Sequence, residues 1–194
     1  MSKLRWINTK GSPLLLAERA HLGHWLGSYL PADTYNSAEV ETPNGGYYLC
    51  IDPELAERPV DYNRAVEIPG NVGLIKVGPS QGLVLADEAV KTTWWPIPRG
   101  WGGYLVRWVV SDNERNIVTD LKRIPKDLAW QPVGMWRVHT KHLLLFDSMD
   151  LGFKPDGPAL AVSLRVGNYE VSALPSYGQC KGTNLALVRV LLKK

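Results

Sequence analysis

Residues 61–110, DYNRAVEIPGNVGLIKVGPSQGLVLADEAVKTTWWPIPRGWGGYLVRWVV, set the architecture of this chain. Two apolar runs, Val72 to Val77 and Leu83 to Ala86, flank the breakers Gly78-Pro79-Ser80-Gln81-Gly82. Strand, turn-rich loop, strand is the pattern of an antiparallel hairpin. Tyr104 to Val110 predicts a third strand. Trp94-Trp95-Pro96 and Trp101 stand among Pro96, Pro98 and Gly100, a stretch too broken to be wholly interior. Charge falls at unexpected places: Asp87 and Glu88 directly follow one apolar run and Arg107 interrupts another. A purely structural strand has no need of charge there, so these groups are candidates for recognising a partner.

Strand character continues on both sides of this block. Leu4 to Asn8 and Pro13 to Ala17 read as short strands, followed by a short helix over Glu18 to Leu26 that Gly27 closes. Residues 31–60 hold Pro31, Pro43, Asn44-Gly45-Gly46, Pro53 and Pro59, a breaker density that predicts an irregular excursion, pinned in its middle by Tyr47, Tyr48 and Leu49. Beyond Ser111 the period changes. Ile117, Leu121, Ile124 and Leu128 recur at helical spacing behind a cap at Ser111 or Asp112, giving one central amphipathic helix over 111–128 that ends near Pro125. Trp136 to His139, Leu143 to Phe146, Ala159 to Val166, Tyr169 to Leu174 and Leu185 to Leu192 return to strands, with Gly167-Asn168 as a two-residue turn.

The expected fold is therefore mostly β (α+β): antiparallel sheets, a short N-terminal helix and one central amphipathic helix, in one compact unit over 1–194. A faint echo relates Trp6, Thr9, Lys10 and Leu14 to Leu16 with Trp136, Thr140, Lys141 and Leu143 to Leu145. It divides the unit into sub-halves 1–110 and 131–194 joined by the helix, with chance similarity and duplication both open.

Composition excludes several classes. With 194 residues and 45% hydrophobic content the chain can bury a core, so a disordered protein is excluded. No apolar stretch approaches the ~20 residues of a bilayer-spanning helix, and MSKLRWINTKG turns polar before a signal-peptide core forms. The expectation is a cytoplasmic protein without a membrane partner. Cys50 and Cys180 match no zinc or redox spacing and read as free thiols. The net charge of +3 hides an uneven distribution: from Pro31 to Gly70 there are eight acids against Arg58 and Arg64, or six net negative charges, and the remainder is +9. That stretch is either a solvated loop or an acidic face for a basic partner. The positive total argues against a uniformly acidic mimic of nucleic acid, and nucleic acid is not an expected partner.

Tests for chemistry return little. His21 and His24 share a helical face, but no third ligand stands at a supporting distance, and His139 and His142 would point to opposite faces of a strand. No metal or cofactor is expected. No serine sits in a nucleophile elbow. Lys181 beside Cys180 could depress a thiol, but the segment reads as a turn between strands. Gly100-Trp101-Gly102-Gly103 lacks the residues of a phosphate loop, and the adjacency of Asp87 and Glu88 does not make a glycosidase pair. No catalytic residue is assigned. Among the eight tryptophans, Trp6, Trp25, Trp108 and Trp136 fall in regular apolar patterns and read as core, whereas at least one of Trp94, Trp95 and Trp101 reads as an exposed anchor.

Several stretches resemble one family in order along the chain. They are Trp6-Ile7 with Gly11-Ser12-Pro13-Leu14-Leu15-Leu16; Asp61-Tyr62 with Arg64-Ala65; Gly73-Leu74-Ile75 with Val77-Gly78; Leu83 to Glu88; and Arg107-Trp108. Leu145-Phe146-Asp147-Ser148 and Gly167-Asn168-Tyr169-Glu170-Val171 extend the likeness. The chain resembles immunity protein family 21 of bacterial polymorphic toxin systems. The resemblance implies a mostly β protein of immunity type that binds a cognate toxin domain stoichiometrically, without catalysis. It carries no contact residues across, and residues 31–60 read as an expanded insertion. The candidate contact set is therefore drawn from this sequence: Glu54, Glu57, Asp61, Tyr62, Arg64, Asp87, Glu88, Trp94, Trp95 and Trp101. The rival reading is a carbohydrate- or peptide-binding module built on an exposed tryptophan platform; an unrecognised hydrolase is a second.

Overall fold

A computed structural model describes residues 4–9, 11–31, 40–41, 47–50, 60–86, 90–98 and 101–193. In chain order it contains β1 (Leu14–Glu18), a 3₁₀ helix (Arg19–His24), β2 (Tyr29–Pro31), β3 (Val40–Glu41), β4 (Tyr47–Cys50), α1 (Asp61–Val66), β5 (Val72–Val77), β6 (Ser80–Leu85) and β7 (Lys91–Pro96). There follow β8 (Gly102–Val110), α2 (Glu114–Leu121), β9 (Gln131–Val138), β10 (His142–Asp147), β11 (Leu160–Ser163), β12 (Gly167–Tyr177) and β13 (Asn184–Leu192). The protein is mostly β. Strands β11-β10-β1-β6-β5 make one five-stranded antiparallel sheet, β7-β8-β13-β12-β9 a second, and β2-β4-β3 a small third.

The two large sheets pack face to face. Leu14, Leu16, Leu83, Leu85, Leu143 and Leu145 from the first meet Leu105, Trp136, Tyr169, Val171, Val188 and Val190 from the second in one core. Because successive side chains alternate between faces, the intervening Leu15, Ala17, Val84, Leu144 and Phe146 point away from that core. They are buried as well, against Leu22 of the 3₁₀ helix, Trp25 and Ala65 of α1. The middle strands β10, β1 and β6 are thus covered on both faces, which is why they read as unbroken apolar runs instead of alternating ones. On the far side of the second sheet, Ile117 and Leu121 of α2 cover Val106, Leu185, Leu187 and Tyr177.

Several expectations are met with altered bounds. The β5–β6 hairpin closes through two residues, Gly78 and Pro79, with Val77 opposite Ser80. Gly78 takes φ +57 and proline supplies the fixed negative φ that follows, the combination a type II′ turn requires. A Cβ on Gly78 would also lie 2.5 Å from the His24 ring. The N-terminal helix is a 3₁₀ helix of six residues, short because Leu22 is its only buried side chain. The central helix spans Glu114–Leu121 and not 111–128; Asn113, rather than Ser111 or Asp112, caps it by accepting from the Asn116 N–H at 3.0 Å. Ile124 and Leu128 still pack on its core from the following turn.

Other expectations are corrected. Leu4 to Asn8 is not a strand: only Ile7 pairs, in a single bridge to Thr92. The Trp94-Trp95 stretch is strand β7, paired with β8 from Lys91↔Trp108 to Pro96↔Gly103. Gly167-Asn168 is no hairpin turn, because β11 and β12 belong to different sheets and the pair opens β12 itself. In 31–60 the described residues form β3, β4 and the last residue of β2, and α1 begins just after it. Both large sheets take strands from 1–110 and from 131–194, with β1 lying between β6 and β10.

Candidate functional site

The sequence-derived contact residues fall in three places. Glu54, Glu57, Asp87 and Glu88 lie outside the described residues. Asp61, Tyr62 and Arg64 belong to α1, and their polar atoms are engaged within the fold. Asp61 Oδ2 accepts from the Leu26 N–H at 2.9 Å, and its Oδ1 accepts from Arg64 at 2.6 Å. Arg64 also donates to the Lys76 carbonyl and stands 5.8 Å from the Trp25 ring centroid. The Tyr62 N–H donates to the Gly27 carbonyl at 3.0 Å. These bonds fasten α1 to the chain after the 3₁₀ helix and to the end of β5. Arg64 remains exposed and Tyr62 half-buried, so both present surface while serving the tie.

The three tryptophans do not share a surface. Trp94 and Trp95 are neighbours on β7 and point to opposite sides of the sheet: Trp94 packs into the core between the sheets, Trp95 onto the outer face. The Trp94 ring lies where a Cβ on Gly103 would sit, 2.5 Å away. Trp101, half-buried before β8, has the Arg165 guanidinium 5.8 Å from its centroid. Of the tryptophans read as core, Trp25 and Trp136 are fully buried and donate to the Ser148 and Gln81 carbonyls. Trp6 and Trp108 are half-buried with rings 5.3 Å apart.

Arg107 is on β8 facing between the sheets, 4% exposed, and donates to the Ala86 carbonyl at 2.9 Å. It lies in a cleft of about 660 Å³ at the open end of the sandwich. Ile68, Val72 and Leu74 line one side, and Val133, Ala173 and Val188 the other. The charge that interrupts an apolar run in the sequence is therefore part of the floor of a largely apolar recess.

Two clusters bring reactive residue types together. Glu18, at the end of β1, is 1% exposed. It accepts from Ser80 Oγ at 2.6 Å and from the His139 N–H at 3.0 Å, accepts also from the Thr140 N–H, and stands 3.2 Å from His139 Nδ1. Burial pushes this carboxyl up, but the bonds from Ser80, His139 and Thr140 together outweigh it and hold the group below the ordinary 4.5. The residue types are those of a hydrolytic triad and the wiring is not. Ser80 Oγ also lies 3.4 Å from His139 Nδ1, but its much shorter contact, 2.6 Å, is the bond it donates to the carboxylate, whereas a triad serine gives its proton to histidine. In the second cluster Asp120 of α2, 1% exposed, accepts from the Gln179 and Cys180 N–H groups, each at 3.0 Å. The hydrogen bond with Asp120 and burial raise the Cys180 thiol, so Lys181 does not activate it and the segment stands as a turn between strands. Among the described residues no three His, Cys, Asp or Glu side chains gather as a metal site, and no helix is long and apolar enough to cross a membrane.

One arrangement escaped the sequence reading. On the outer face of the second sheet, at the edge of the part α2 covers, Trp95, Tyr104, Arg189 and Ser172 stand in register across β7, β8, β13 and β12. Arg189 Nε donates to Ser172 Oγ at 3.0 Å, and its guanidinium lies 4.4 Å from the Trp130 centroid, with Tyr104 6.0 Å from the same ring. Met135, opposite Glu170, is 53% exposed. The signal was the alternation of β12, β13 and β9, whose outward members here include Glu170, Ser172, Arg189 and Arg137; what brings them into line is strand order, which sequence does not display.

A family model described as Immunity protein 21 matches residues 5–178. Comparison with curated proteins and with solved structures returns no match.

Proposed function

This chain belongs to the Immunity protein 21 family, and from that premise we propose that it protects the bacterium that makes it by binding a cognate toxin domain in the cytoplasm. Neutralisation is stoichiometric, by occlusion, with no bond made or broken. The family match over residues 5–178 is the observation that carries this reading. The arrangement of Glu18, Ser80 and His139 is in keeping with it, since the serine proton goes to the carboxylate and the group serves to hold the fold.

As part of the same proposal, the acidic stretch that includes Glu54, Glu57 and Asp61, with Asp87 and Glu88, steers association, and an outward tryptophan supplies an apolar anchor. The test is co-expression with a toxin domain that a neighbouring gene is found to encode. Growth should be restored, and the two chains should co-purify at equal stoichiometry. Unrelieved toxicity, or relief without a complex, refutes the proposal.

A further inference from the structure

We propose that the toxin docks on the outer face of the second sheet beside α2, and that the part of the toxin meeting this face is acidic, apart from the basic part that the acidic stretch with Glu54 and Glu57 steers. The inference rests on the functional reading above and adds the place and sign of the contact.

The two large sheets differ in how they are covered. The first is buried on both faces along β10, β1 and β6. The second is covered on its outer face by α2, the turn after it and Trp6 of the N-terminal segment. At the margin of that cluster Trp95, Tyr104 and Trp130 pack against it and remain half-buried, and beyond them, among the described residues, Met135 is 53% exposed. Rigid aromatic groups with a stacked arginine, beside an exposed methionine, are the side-chain types that dominate protein interface energetics. The rows are held by cross-strand register and by the Arg189–Trp130 stack, so little side-chain freedom is lost on docking.

Charge gives the partner's sign. Around this part of the face stand Arg137, Arg189 and Lys193 against Glu170, two net positive charges. Glu170 is already bonded to Lys193 and lies 3.9 Å from Arg189. Arg137 is exposed on the same side of β9 as Met135. A surface carrying carboxylates around an apolar centre complements this arrangement, and a basic one is repelled.

The experiment titrates the same toxin domain into the full chain and into the variants Met135→Glu and Arg137→Glu, with Arg115→Glu on the exposed side of α2 as control. The first two positions are exposed, so stability should stay within the range of ordinary surface changes, checked by urea unfolding. Met135→Glu should weaken binding at least about thirtyfold, the scale of a central anchor. Arg137→Glu should slow association about tenfold at low ionic strength, an effect that salt erases. Arg115→Glu should leave both unchanged. Unaltered affinity in both face variants, with wild-type binding intact, overturns the docking face and leaves the immunity reading standing. Wild-type protein that neither binds nor protects removes both. Tighter binding by Arg137→Glu overturns the sign. If Met135→Glu instead abolishes a wild-type dimer or the binding of a labelled oligothymidylate, with toxin affinity unmoved, the face serves a second copy or single-stranded nucleic acid and the inference fails.

Discussion

Replacing Glu18 by glutamine tests how the two sheets are joined. The chain passes from β9 in one sheet to β10 in the other through residues 139–141. A crossover of this kind leaves backbone N–H groups without a ladder, and Glu18 accepts two of them, from His139 and Thr140, along with the Ser80 hydroxyl. Bonds to a charged acceptor contribute roughly 1.5–3 kcal/mol each and neutral ones about 0.5–1.5, so an amide that keeps three contacts without the charge loses about 1 kcal/mol apiece. Glu18→Gln should therefore cost about 3 kcal/mol, lowering a urea midpoint by about 1.5 M for a slope near 2 kcal/mol/M. The dependence on pH provides a second reading. The folded carboxyl titrates below the ordinary 4.5, so its contribution is complete above 4.5 and is lost as pH falls through the folded value. The gap between wild type and variant should be full at about pH 7 and narrow toward about pH 3. A midpoint shift below about 0.3 M, or a gap that does not change with pH, refutes the assignment of Glu18 as the acceptor that holds the crossover.

Three further outcomes follow. Gly102 takes φ +126 and a Cβ there would lie 1.8 Å from the Val190 carbonyl oxygen, so Gly102→Ala should disrupt the start of β8–β13 pairing and cost about 2–4 kcal/mol in thermal or urea unfolding; a loss under about 0.5 kcal/mol contradicts it. Asp120→Asn removes the main influence that raises the Cys180 thiol, so alkylation by iodoacetamide at about pH 8 should become severalfold faster, and equal rates would show that Asp120 does not set this group. Reversing Glu54 and Glu57 to lysine should slow toxin association and weaken its salt dependence, read by stopped-flow mixing; unchanged kinetics remove the acidic stretch from the encounter.

The interior of the first sheet was open to reading because its chemistry is local. A run such as Leu143 to Phe146 has no polar member to face water, so it must be covered on both sides whatever its neighbours. The β5–β6 hairpin was readable for the same reason, since Gly78 and Pro79 specify their turn without help from the rest of the chain. Misreadings came where tertiary context decides. Pro96 looks like a breaker beside two tryptophans, yet it ends an edge strand, where a missing N–H costs no ladder bond. Gly167-Asn168 has the composition of a tight turn, and only the assignment of β11 and β12 to different sheets shows that no turn is needed. For the candidate site the same division holds. Arg107 was singled out by its position within an apolar run, whereas the alignment of Trp95, Tyr104 and Arg189 exists only through strands far apart in sequence.

The uneven covering of the two sheets links this fold to a binding role. Every layer of a folded chain must hide its apolar side from water, and the first sheet does so with elements of its own, the 3₁₀ helix, Trp25 and α1. Asp61 and Arg64 are used up in fastening that layer, so the described part of the acidic stretch is a strut as well as a surface. The second sheet carries α2 over part of its outer face, and α2 is held there by Asp120 gripping the β12–β13 turn and by Glu114 accepting from Trp6 at 2.8 Å. Beside α2 lie aromatic rings stiffened by a stacked arginine, each with a half-wet edge, although the Trp130 indole N–H is buried without a partner. A second layer supplied from outside would complete on this sheet what the first sheet completes alone. The scaffold can therefore stay folded before its partner arrives, and docking need not wait for it to fold.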